Sequence, residues 1–180
     1  PDSVAAYGYQ GFIGAGDVGN ASYPEAVLGP FRMHWLPRID SMYLRNIYQP
    51  FKFYNATAEL DGAVNITTRG VFGSGTMLTR GSKSISNELS LRQYDYAARH
   101  AAFSVLTDNP EKPAMAGEDI RLHFDLNSNT ADIHPEQEGV ASISFPYAQM
   151  KTSIPNEVWD LKDPVVTMTK PEDIPIEKSY

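Results

Sequence analysis

Residues 51–72 read Phe51-Lys-Phe-Tyr-Asn-Ala-Thr-Ala-Glu-Leu-Asp-Gly-Ala-Val-Asn-Ile-Thr-Thr-Arg-Gly-Val-Phe72, and this stretch decides the fold class. Aromatic and β-branched residues flank Asp61-Gly62, a dipeptide that supplies the positive φ of a tight hairpin turn. The reading predicts strands over 51–60 and 63–72 joined at that turn. Working outward, further strands are predicted over 41–48, 75–79, 88–92, 120–126, 139–147 and 158–161, with shorter ones near 101–106 and 164–169. In 120–126, Ile120, Leu122, Phe124 and Leu126 alternate with Arg121, His123 and Asp125, the period of a strand with one face in the core. One segment reads differently. Leu91, Tyr94, Ala98, Ala101 and Val105 follow helical spacing in an alanine-rich run, which predicts a short helix within 91–105.

The chain has 180 residues, 42% of them hydrophobic, enough for one sizeable core and without a mark of a second. Thirteen Gly, thirteen Pro and 11% aromatic residues suit many short strands and turns. The predicted class is all-β, an antiparallel sandwich with at most one or two short helices. No run reaches the roughly 18 to 20 apolar residues of a membrane span. The absence of cysteine excludes disulfides, thiolate ligands and a Cys nucleophile. A net charge of −7 argues against a broad grip on nucleic acid or anionic lipid. Arg69, Arg80, Lys83, Arg92 and Arg99 form a local basic face only if the fold gathers them; scattered surface charge is the alternative.

Both ends read as arms. Residues 1–30 carry Gly8, Gly11, Gly14, Gly16, Gly19 and Gly29 with Pro24 and Pro30, so an irregular N-terminal arm is expected there, ahead of a single domain over 31–161. Residues 162–180 carry Pro164, Pro171 and Pro175 and predict an extended C-terminal arm. A first residue Pro1 without Met suggests a processed product or a fragment. Sequons at Asn20, Asn55 and Asn65 matter only in a secretory pathway.

Gly14, Gly16 and Gly19 have the spacing of a dinucleotide-binding loop, with Asp40 downstream, but Pro24, Gly29 and Pro30 break the helix that must follow, so no cofactor is expected. His123, Asp125, Asp132 and His134 flank the turn-forming run Asn127-Ser-Asn-Thr130. A hairpin there puts all four on one face, where imidazoles and carboxylates suit a divalent metal; a solvated face with His–Asp hydrogen bonds is the other outcome. Serines sit in no nucleophile elbow, and His34 and His100 have no orienting carboxylate nearby in sequence. Trp35 and Trp159, with ten tyrosines, suit either a sugar-binding face or packing in core and interfaces.

The segment Gly139-Val-Ala-Ser-Ile-Ser-Phe-Pro-Tyr147, preceded by Leu122-His-Phe-Asp-Leu126, resembles the late strands of picornavirus-like jelly-roll capsid proteins, over about residues 120–148. The resemblance implies a jelly-roll-like two-sheet sandwich whose arms and loops bind neighbouring subunits in a virion. The expectation is therefore a non-enzymatic structural subunit, with sibling copies as partners and a virion or extracellular location. Tyr7, Tyr9, Phe12 and Ile13 of the first arm and Val165, Val166, Ile174 and Ile176 of the second would bury apolar surface on partners. The alternatives are a carbohydrate-binding sandwich, a metal enzyme using the His/Asp set, and a phage tail or other virion subunit.

Overall fold

The computed structural model describes residues 2–140, 142–147, 149–152, 156–160 and 165–169, with side chains described as far as Lys151. The N-terminal strands are β1 (Val4–Gly8), β2 (Gly11–Ile13), β3 (Gly16–Val18), β4 (Ala21–Tyr23), β5 (Ala26–Leu28), β6 (Phe31–Leu36), β7 (Ser41–Asn46) and β8 (Phe51–Phe53). Five long strands follow: β9 (Ala58–Thr67), β10 (Gly70–Thr79), β11 (Ser82–Leu91), β12 (Asp95–Val105) and β13 (Met115–Asp125). The remainder are β14 (Thr130–Pro135), β15 (Ile143–Phe145), β16 (Met150–Thr152), β17 (Asn156–Asp160) and β18 (Val165–Thr169). A single 3-10 turn, Pro37–Ile39, is the only helical element among the described residues.

The class is the predicted one, all-β and antiparallel. One sheet runs β1-β6-β7-β9-β10-β11-β12-β13-β14-β17-β18, and β3–β4 is a separate hairpin. From β9 to β14 each strand pairs with the next in sequence, an up-and-down order, whereas a jelly roll interleaves its strands.

The five long strands all change course at one level, and this line builds the sandwich. On β9, the outer edge is bonded by β7 along Ala63–Ile66 and by β8 along Ala58–Leu60. On β13, the outer edge is bonded by β14 from Ile120 onward and by β15 at Ala116 and Gly117. Two half-sheets thus share the long strands. The inward-facing residues step by three at this level in three strands: Ser86 to Leu89, Ala98 to Ala101, and Gly117 to Ile120. Each step inserts an extra residue, as a β-bulge does, and bends the strand. Inward residues of both halves form one core, with Phe51, Phe53, Tyr96, Phe103 and Phe124 fully buried. Each such side chain contributes roughly 1.5–3 kcal/mol by leaving water. Tyr96 stacks on Phe124 with ring centroids 5.1 Å apart and bonds Ser84 Oγ at 3.0 Å, so its buried hydroxyl is satisfied. Burial pushes the Tyr96 phenol well above its ordinary range.

Several expectations change. Asp61-Gly62 is not a turn: β9 runs through it, and the chain reverses at residues 54–57 and 68–69. Gly62 faces Gly75 across β9 and β10, and a Cβ on either would collide with the Ser74 or Asp61 carbonyl. The glycine is there for close backbone approach. The predicted helix within 91–105 is instead β12, because the bulge converts a period of two into the spacing 98, 101, 105, which imitates a helix. The predicted strand over 139–147 shrinks to β15. Residues 4–28 form five strands of three to five residues, and Ile13, Ala21, Ala26 and Leu28 are buried. Removing 1–30 would therefore take material out of the core. No helix among the described residues is long and apolar enough to cross a membrane.

Candidate interaction surface

β1 lies at one end of the long sheet, bonded to β6 on one side and without a partner on the other among the described residues. Residues 3–16 contain no charged side chain. Natural sheets usually blunt such an edge with lysine, proline or a bulge inside the strand. Here Tyr7 within the strand is 68% exposed and Tyr9 just past its end 86%, while Phe12, on β2, is 70% exposed. Ile13, expected beside them as a partner contact, is only 9% exposed and belongs to the chain's own core. Val165 and Val166 fall in β18, described as backbone, while Ile174 and Ile176 lie outside the described residues.

The outer face next to this edge carries a charge pattern the sequence reading missed. Tyr7, Arg32 and Arg45 are in register across β1, β6 and β7. The Arg32 guanidinium lies 5.7 Å from the Tyr7 ring centroid, drawn towards β1. Like charges directly opposite on neighbouring strands repel, and neither arginine meets a carboxylate among the described residues. The five basic residues singled out from sequence do not form this patch. Arg99 is bound to Glu136, and Arg92 is 3.6 Å from Asp95.

His123, Asp125, Asp132 and His134 do share the outer face of the β13–β14 hairpin. They do not converge. His123 Nε2 is 2.9 Å from Asp95 Oδ2, and Nδ1 is 3.8 Å from Asp132 Oδ2. Asp125 Oδ1 accepts from the Ser128 and Asn127 backbone N–H groups, which hold its carboxyl below the ordinary range. His134 is in register with Arg121. No group of three or more potential ligands among the described residues is gathered to hold a metal ion.

A second polar cluster sits on the bend. Glu136, with its side chain 7% exposed, accepts from Arg99 Nε at 2.7 Å and Nη2 at 3.0 Å, and from the His100 N–H at 3.2 Å. The Arg99 hydrogen bond is the main reason its carboxyl falls to about 2. His100 Nδ1 is 2.8 Å from Asp119 Oδ1, and this hydrogen bond raises the imidazole. Both residues have left-handed backbone, φ 45° and 51°, at the bulges of β12 and β13. Asp119 also borders a groove of 330 Å³ with Glu118, Ser142, Ser144 and Lys151. Ser144 Oγ donates to the Ala116 carbonyl at 3.3 Å, so this hydroxyl serves the split between β14 and β15. The cluster stitches strands together at a corner.

The remaining motifs are structural in setting. Gly16 and Gly19 shape the β3–β4 hairpin, with strand rather than helix behind them. That hairpin closes one end of the core through Tyr23 Oη to the Thr67 carbonyl, 2.6 Å, and Gln93 N to Ser22 Oγ, 2.9 Å. Of the sequons, Asn20 and Asn55 are exposed in turns, and Asn65 is partly buried and accepts from Ser41 Oγ at 2.6 Å. Trp35 is 37% exposed, while exposed Tyr43, in register with His34, lies on the opposite face of the sheet. No protein-family model, no curated protein and no solved structure matches the chain.

Proposed function

We propose that the chain is a non-enzymatic structural subunit that works by packing against copies of itself, with a virus shell as the setting suggested by the resemblance over residues 120–148. The observation that supports it is the β1 edge: unpaired among the described residues, free of charge over residues 3–16, and carrying exposed Tyr7 with exposed Tyr9 just past its end. A strand of this kind templates pairing with another strand, and burying these aromatic rings adds a hydrophobic contribution. The test is particle mass by light scattering over a concentration series, for the full chain and for Tyr7→Lys. A large discrete particle that dissociates in Tyr7→Lys supports the reading. A stable monomer at every concentration overturns it.

A further inference from the structure

The open edge of β1 and Arg32 on the adjacent β6, which meets no carboxylate among the described residues, together specify what can dock. The free N–H and C=O groups of an edge are satisfied by an added strand. Arg32, leaning over Tyr7, places its charge towards that strand, so the ligand needs carboxylates on its outer face. Its inner face must be apolar, because it continues the layer that holds Val4, Ala6 and the core-packed Phe31 and Met33.

One stretch of this sequence has that pattern: Lys170-Pro-Glu-Asp-Ile-Pro-Ile-Glu177. In a strand, hydrogen-bonding direction and side-chain face both alternate with period two. Pro171 and Pro175 share parity, so their missing donors can both point away from β1, the arrangement an edge strand tolerates. The even residues then offer complete backbone groups to β1. With the same parity, Asp173 and Glu177 lie on one face and Ile174 and Ile176 on the other, with Glu172 at the end. Residues before proline favour extended backbone, which applies to Lys170 and Ile174.

We propose that residues 171–177 of a second copy add to β1 as an edge strand, with the face that carries Asp173 and Glu177 on the side of Arg32; this rests on the assembly reading above. The donor is a second copy because only Lys170 separates β18 from the docking segment. β18 is ten strand positions from β1 in the sheet, roughly 48 Å along it, and the element most packed on β1 among the described residues is β6. Donor and acceptor surfaces differ, so the contact is head-to-tail and repeats until a ring or shell closes.

The experiment follows the particle mass of full-length variants, with circular dichroism to verify the fold. Ile174→Pro removes an N–H that faces β1, and Arg32→Glu reverses the charge beside the edge. Each is expected to raise the concentration for half-assembly by about tenfold or more. Adding Asp173→Arg and Glu177→Arg to Arg32→Glu is expected to restore assembly. Wild-type assembly in Ile174→Pro overturns this proposal and leaves the assembly reading standing. A wild-type chain that stays monomeric overturns both.

Discussion

The sheet bends along one line by two different devices. On β9 and β10 the bend is made by Gly62 and Gly75, whose backbones approach so closely that no side chain fits between them. On β12 and β13 it is made by bulges at His100 and Asp119, in left-handed backbone that non-glycine residues rarely adopt. The first device needs glycine alone, for the close backbone approach and, at Gly75, also for a φ of 131°. The second needs partners: Asp119 for the His100 ring, and Glu136 for Arg99 and the His100 N–H. One side of the corner is therefore sterically demanding and indifferent to pH, and the other is sterically tolerant and titrates.

Three substitutions sharpen or break this contrast. The largest effect is expected for Gly75→Ala, which drives a methyl into the Asp61 carbonyl and forces β9 and β10 apart. We expect a loss of about 3 kcal/mol or more in chemical denaturation, equal at all pH values. A loss below about 1 kcal/mol would show that the glycine pair can part without cost and end the distinction.

Glu136→Ala comes next. It strands the Arg99 side chain and the His100 N–H, and we expect a loss of about 2 kcal/mol near neutral pH. Because the folded carboxyl is depressed from 4.5 to about 2, its contribution is complete above 4.5 and disappears as pH falls through about 2. Wild type and Glu136→Ala should therefore converge in urea titrations towards that acid limit. Parallel curves down to the limit would show that the ion pair contributes nothing.

The smallest effect is expected for Asp119→Gly, which converts one device towards the other. Glycine relieves the left-handed backbone while the His100 hydrogen bond is lost, and the two changes oppose. The melting temperature in mildly acidic buffer should hardly move. His100 is raised by Asp119, so the wild type holds this contribution below the ordinary histidine range of 6.5 and loses it as pH rises through the raised value. That dependence should flatten in Asp119→Gly. A pH profile identical to wild type would place the titration elsewhere.

The readable parts of the fold were those set by local period. Residues 120–126 alternate cleanly, and the turn run 127–130 joins β13 to β14 as expected, with His123, Asp125, Asp132 and His134 on one face. Misreadings cluster on the bend. Bulges at residues 98–101 disguised β12 as a helix, and Gly62 imitated a turn residue because a glycine needed for close approach inside a strand looks the same as one needed at a turn. The polar partners were hidden for another reason. Asp95 lies 28 residues from His123, and Asp119 lies 19 from His100, so no window in the sequence contains both members.

By itself, the sequence determined the all-β class, the alternation that orients β13, the lack of cysteine chemistry and the charge-free run at residues 3–16. These follow from side-chain type and short-range period, which every stretch of chain carries within itself. Only the tertiary structure decided which strands are shared by two half-sheets, that Ile13 is core while Tyr7 is surface, and that Arg32, in register with Arg45, lies beside an open edge. Those outcomes depend on register between segments far apart in sequence, and register is settled by the packing of the whole core.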